Sequence, residues 1–155
     1  MKHKIFTLFF ALVASIGTML GEKIQIDDLY YWIDGTNKTA IVLSGANKYS
    51  GDIVIPSSIL YNGIDYSVTS IGEYAFFQCY SLASVSICNS VTSIGEYAFY
   101  GCSGLTSITI PDGVTSFENK AFYGCSSLTS VNIPNQRPVV HLPRRYDLQR
   151  IGYAG

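Results

Sequence analysis

The chain has 155 residues, a formal net charge of −1, 48 % apolar residues and 14 % charged ones, where ~25 % charged is usual. That length fits one domain of modest size. The low charge excludes a disordered chain, which needs many charges and few apolar groups. It also excludes a nucleic-acid-binding domain, which needs a basic patch against phosphates.

Residues 1–21 read as a secretory signal peptide. Lys2 and Lys4 form a short basic region, Ile5 to Ile16 runs almost wholly apolar, and small residues follow at Ser15, Gly17 and Gly21. The apolar run falls well short of the ~20 residues that a spanning helix needs, so no membrane span is expected. The mature chain is expected to begin near Glu22.

Residues 22–67 read as an N-terminal β cap with a degenerate first repeat. Ile24, Ile26 and Tyr30-Tyr31-Trp32-Ile33 have strand character, Asp34-Gly35 and Asn37 mark turns, and Ala40 to Leu43 forms a second strand. This predicts a β-hairpin that covers an open apolar edge. Asn37-Lys38-Thr39 is also an N-glycosylation sequon, which matters only in a eukaryotic secretory pathway. Ile53 to Ser58, IVIPSS, looks like the end of an earlier repeat, and the next few residues to Ser67 read as a loop or hairpin inserted before a regular array.

Residues 68–136 hold three gapless 23-residue blocks that open at Val68, Val91 and Val114. In the middle block Leu105, Ile108 and Ile110 face one core, the last two from one side of a short strand. Pro111 stops that strand and Asp112-Gly113 turns the chain. Val114 and Phe117 lie three apart, and with Ala121-Phe122 they predict a short helical or 3₁₀ turn. Ala75, Ala98 and Ala121 are small where two layers approach. One such unit cannot bury its apolar face alone, so the blocks are expected to stack with their strands parallel and in register, about 4.8 Å apart.

Leu105-x-x-Ile108-x-Ile110 resembles the signature of leucine-rich repeats, and the fuller pattern IGEYAFYGCSGLTSITIP resembles the BspA-like subclass. The resemblance implies a repeat solenoid: leucine-rich repeats with short parallel β-strands and short helical or 3₁₀ turns, preceded by a β-hairpin cap. It implies a secreted or cell-surface, non-catalytic protein-binding or adhesion module, with a host matrix or cell-surface protein as partner. A structural fragment of a larger repeat adhesin, inactive alone, is the alternative. The asparagine usual in leucine-rich repeats is replaced by Ser90, Gly113 and Gln136. No asparagine ladder is therefore expected, and the cysteines are candidates to fill that part of the core.

Catalytic motifs are nearly absent. The only histidines are His3, in the leader, and His141, in the tail. No nucleophile elbow, phosphate-binding loop, dinucleotide fingerprint or paired C-x-x-C occurs. No catalytic residue, cofactor or metal site is predicted. Glu73 and Glu96 are repeat-equivalent and read as surface glutamates rather than a glycosidase pair. Asp27-Asp28 does not make a calcium loop.

Cys79, Cys102 and Cys125 are also repeat-equivalent. Side chains in a ladder point in parallel and three cannot pair, so they read as small buried thiols rather than disulfides, and one row cannot close a zinc tetrahedron. Tyr74 with Tyr97, and Phe77 with Tyr100 and Tyr123, form aromatic rows that either stitch the repeats together or offer stacking surface to a sugar or peptide. The outward strand positions Ser84, Ser86, Ser107, Thr109, Ser130 and Asn132 form a small polar face, and these are the candidate binding residues.

Residues 137–155 break the pattern. All four arginines of the chain, Arg137, Arg144, Arg145 and Arg150, lie there against one acid, Asp147, whereas residues 22–136 carry four lysines against ten acids. This aberrant basic tail reads as out-of-frame or recombined sequence. It is expected to leave the third rung uncovered and prone to self-association.

Overall fold

The computed structural model describes residues 21–118 and 120–132. The expected leader (apart from Gly21), Asn119, the strand position Ile133 and the basic tail lie outside the described residues.

The cap has three strands, β1 (Glu22–Ile26), β2 (Leu29–Asp34) and β3 (Thr39–Leu43), paired antiparallel in order. The expected hairpin gains a strand because Asp27-Asp28 turns the chain, with Asp27 left-handed at φ 51°. At the second turn Asp34 Oδ1 accepts the N–H groups of Thr36 at 2.8 Å and Asn37 at 3.2 Å, while Oδ2 accepts Asn37 Nδ2 at 2.7 Å. Those bonds, the Asn37 side chain's first, hold the Asp34 carboxyl below its ordinary value. Alternate residues Ile24, Tyr31, Ile33, Ala40 and Val42 are buried, as period-two strands require.

The cap continues into the repeats rather than sitting over them. β3 pairs in parallel with β6 (Ile64–Ile71), setting Ala40 against Val68 and Val42 against Ile71. β4 (Gly51–Val54) begins the second sheet, so residues 39–54 form a diverged first rung. Between the two lies the inserted hairpin, β5 (Ser58–Tyr61) on β6. Its Asn62-Gly63 turn has both residues at positive φ, 49° and 77°, the geometry that matches strand twist.

The three blocks stack as the sequence predicts, in parallel and in register. β7 (Leu82–Ser86), β9 (Ser107–Thr109) and β11 (Ser130–Asn132) extend the second sheet outward from β4. Ser84 opposes Ser107 and Ser107 opposes Ser130, so neighbouring strands are offset by the repeat length. β8 (Ser93–Ile94) and β10 (Ser116–Phe117) extend the first sheet from β6.

The expected helical or 3₁₀ turns do not form; the described residues contain no helix. Val-Thr-Ser-Ile and Val-Thr-Ser-Phe are instead extended, as their β-branched residues favour. Val91 and Ile94 are both buried although three apart.

The third side of each rung, residues 72–79 in the first block, is a run of tight turns. The N–H groups of Ala75, Phe77 and Cys79 donate three residues back, to Gly72, Tyr74 and Phe76. Those of Tyr74, Phe76 and Gln78 donate to Glu96, Ala98 and Tyr100 in the next rung at 2.7–3.1 Å. Left-handed residues cause this alternation. Tyr74 and Gln78 both have φ 55°, and their equivalents Tyr97, Gly101, Lys120 and Gly124 are also positive. A 3₁₀ helix keeps every residue right-handed and aims its N–H groups along one axis. Here every second N–H of the first block points across the stack and finds a carbonyl of the next rung, which satisfies these backbone donors.

Within the core, Phe76, Phe99 and Phe122 stack with centroids 4.9 and 5.2 Å apart and planes 3° off parallel. Tyr49 meets Phe76 at 5.0 Å and closes the head of that stack. Leu82, Leu105 and Leu128 line the same core.

Candidate binding surface

The second sheet places the predicted polar residues in two straight rows. Val85 and Ile87, and Ile108 and Ile110, turn inward and are buried, so Ser84, Ser86, Ser107 and Thr109 turn outward. Ser86, Ser107 and Thr109 are exposed and Ser84 is half-buried. Ser130 and Asn132 hold the same register positions on β11.

The sequence reading missed one rung of this surface. On β4, Asp52 aligns with Ser84 and Val54 with Ser86, which adds a carboxylate and an apolar group to the rows. Ser84 Oγ donates to Asp52 Oδ1 at 2.6 Å, and Val54 is 70 % exposed. The alternation Asp-Ile-Val-Ile-Pro matches Ser-Ile-Thr-Ile-Pro two blocks later, which was the available signal.

The turn side carries the aromatic rows. Tyr74 and Tyr97 stack at 5.2 Å and 3°; Phe77, Tyr100 and Tyr123 stack at 5.2 and 5.3 Å. The two rows meet edge to face, Tyr74 on Phe77 at 5.3 Å and Tyr97 on Tyr100 at 5.5 Å. Two lysines lie against these rings. Lys48 Nζ sits 5.3 Å from the Phe77 centroid and donates to the Phe77 carbonyl at 2.5 Å. Lys120 Nζ sits 5.5 Å from the Tyr97 centroid and 3.3 Å from its hydroxyl. Most faces are therefore occupied within the chain, and the rows stitch rungs together more than they offer a sugar platform.

The four cysteines are free thiols. Cys102 and Cys125 donate to the carbonyls of Phe76 and Phe99 in the preceding rung, each at 3.0 Å. Burial pushes Cys79 up to about 11, and the Cys125 side-chain bond followed by burial raises Cys102. Such groups stay protonated at neutral pH and are neither nucleophiles nor ready metal ligands. Cys88 stands apart, with Sγ 3.1 Å from the Pro56 carbonyl and 3.1 Å from Ser90 Oγ.

Glu73 is exposed and Glu96 half-buried on the turn side. Among the described residues no group of three or more His, Cys, Asp or Glu side chains could hold a metal ion, and no helix is long and apolar enough to cross a membrane.

Comparison with known proteins agrees with this geometry. The family of the BspA type leucine rich repeat region matches residues 55–141 in six copies. A leucine-rich repeat protein from Bacteroides ovatus is 34 % identical with a TM-score of 0.64, over 70 % of this chain and 28 % of that one. A leucine-rich repeat protein from T. pallidum is 31 % identical with a TM-score of 0.61, over 71 % and 49 %. A leucine rich cell surface protein from Faecalibacterium prausnitzii is 30 % identical with a TM-score of 0.57, over 72 % and 32 %. No curated protein matches the chain. The chain thus spans half or less of the length of these three solved relatives.

Proposed function

This chain belongs to the BspA-type leucine-rich repeat family, and from that premise we propose that it is a non-catalytic protein-binding module of the cell surface or the extracellular space. Its contact surface is the strand face of the second sheet, built on Ser84, Ser86, Ser107, Thr109, Ser130 and Asn132 and extended by Asp52 and Val54. The observation that carries this reading is the register. Parallel pairing sets outward positions of successive rungs in line, so a partner meets small polar residues at the same spacing along the three regular rungs. Small hydroxyls without an aromatic or arginine anchor make each contact weak, and affinity comes from repetition along the rows. The partner class is a host matrix or cell-surface protein, and the role is adhesion. The surface location draws support from the basic-then-apolar leader and from the cell-surface description of the Faecalibacterium relative.

Purified chain is titrated against immobilised extracellular-matrix proteins. The expected outcome is saturable binding that the paired substitution Ser107→Lys, Thr109→Lys reduces at least tenfold without changing the circular dichroism spectrum. Unchanged binding by that variant removes the strand face from the proposal. A second reading, a structural portion of a larger repeat protein, has its own support in the 28 % and 32 % of two relatives that the chain covers. Absence of saturable binding by the monomer favours it.

A further inference from the structure

We propose that the exposed ring of Tyr74, with the Glu73 carboxylate beside it, binds a lysine or arginine side chain presented on an extended basic segment of a partner protein. The proposal rests on reading the chain as a protein-binding module, but not on its strand face. The row that starts at Tyr74 runs Tyr74, Tyr97, Lys120 at repeat-equivalent positions. Tyr97 stacks on Tyr74, and the Lys120 ammonium lies at its hydroxyl end, 3.3 Å from the phenol oxygen and 5.5 Å from the ring centroid. The chain thus already carries a cation on one end of this tyrosine pair. Tyr74, the other end, stacks on Tyr97 and meets Phe77 edge to face at 5.3 Å, and no ammonium of the described residues lies over its ring. It is 42 % exposed, whereas Tyr97 is half-buried. Phe77, which heads the neighbouring row, already carries Lys48, so Tyr74 is the row head left for a cation from outside.

The electrostatics favour a cation. Glu73 precedes Tyr74 in sequence, and the Tyr74 N–H donates to the Glu96 carbonyl at 3.1 Å, which sets the second glutamate in the next rung. Burial first, then the Glu73 carboxylate, Tyr97 and the Glu96 carboxylate, hold the Tyr74 phenol above its ordinary value. Residues 22–132 carry ten acids against four lysines and no arginine, so the body as a whole attracts basic segments. An exposed tyrosine ring next in sequence to a carboxylate suits an ammonium or guanidinium, because the negative quadrupole and the carboxylate attract the same charge.

The full chain is titrated with a blocked octapeptide alternating arginine and serine, and with its glutamine-serine counterpart, by nuclear magnetic resonance. The arginine peptide is expected to bind, with its arginine methylene protons shifted upfield by the ring current, and the glutamine peptide is not. Tyr74→Leu is expected to weaken binding about two- to fivefold and abolish the shift, while Tyr74→Phe keeps both. Glu73→Gln, which leaves the ring in place, is expected to weaken binding and reduce its salt dependence. Ser107→Lys should leave peptide binding intact, which separates this site from the strand face. Equal binding of the two peptides, or parental binding by Tyr74→Leu, overturns the proposal. So does spermidine displacing the peptide at equal concentration, since that marks general attraction of polycations.

Discussion

Tyr74, Gln78, Tyr97 and Lys120 each hold a left-handed backbone, with φ between 54° and 55°, which costs a side chain about 1–2 kcal/mol. At the second of the two positions the later rungs use Gly101 and Gly124. Gln78→Gly is therefore expected to stabilise the protein by about 0.5–1 kcal/mol, after the ~0.5–1 kcal/mol that glycine loses through unfolded-state entropy. A urea titration that shows no gain in midpoint would mean that the Gln78 side chain contributes packing the rung needs. Titration adds a second residue-scale effect. Burial raises Cys79 from 9.0 to about 11 and Tyr49 from 10.0 to about 12. Both folded-state values exceed the unfolded ones, so these contributions are complete below pH 9. They are lost as pH rises from 9 to about 11 for Cys79 and from 10 to about 12 for Tyr49. Stability is expected to fall on the alkaline side from pH 9 upward, and Cys79→Ala should make the fall between pH 9 and about 11 shallower without moving its onset, because Cys102 is raised as well. A pH profile of the urea midpoint that is as steep in the variant as in the parent would remove Cys79 from this account.

At the scale of the element, each rung is held by the rungs beside it. Leu105 is fully buried in the middle block, with neighbours on both sides, so Leu105→Ala is expected to cost about 2–5 kcal/mol. Leu128, in the third block, is slightly more exposed, and Leu128→Ala is expected to cost less. Equal losses in denaturant titrations would show that the third rung is packed as fully as the second. The strands of the second sheet were legible because Leu-x-x-Ile-x-Ile alternates and proline follows it. The turn side was not, because Val-x-x-Phe spacing fits a helix and a bent strand equally. Nothing in Glu-Tyr-Ala-Phe announces that its tyrosine is left-handed. That conformation goes with bonds to carbonyls 22 residues ahead, such as Glu96 for Tyr74, which no local propensity encodes. The binding rows show the same limit: the three regular rungs could be read, but Asp52 and Val54 needed the register of a strand outside the repeat.

At the scale of the molecule, the cap and the repeats share one sheet and one core. β3 pairs in parallel with β6, and Tyr49 places its ring on Phe76 while its hydroxyl donates to the Leu43 carbonyl at 2.8 Å and accepts the Tyr30 N–H at 3.1 Å. Tyr49 is thus the joint between the antiparallel strands and the first regular rung. Tyr49→Phe keeps the ring contact and leaves the Tyr30 N–H and the Leu43 carbonyl without this partner, for an expected cost of about 1–3 kcal/mol. The chain has one tryptophan, Trp32, and it lies in the cap on β2. Its fluorescence reports the cap, while far-ultraviolet circular dichroism is dominated by the remaining strands. Because the sheet is continuous, both probes are expected to give one coincident urea transition, and Tyr49→Phe should lower both midpoints together. A variant in which only the Trp32 midpoint falls would show that the cap unfolds apart from the rungs, in the manner of a stack whose members touch only their neighbours. The parallel β3–β6 pairing would then be a contact between two cooperative units rather than the seam of one.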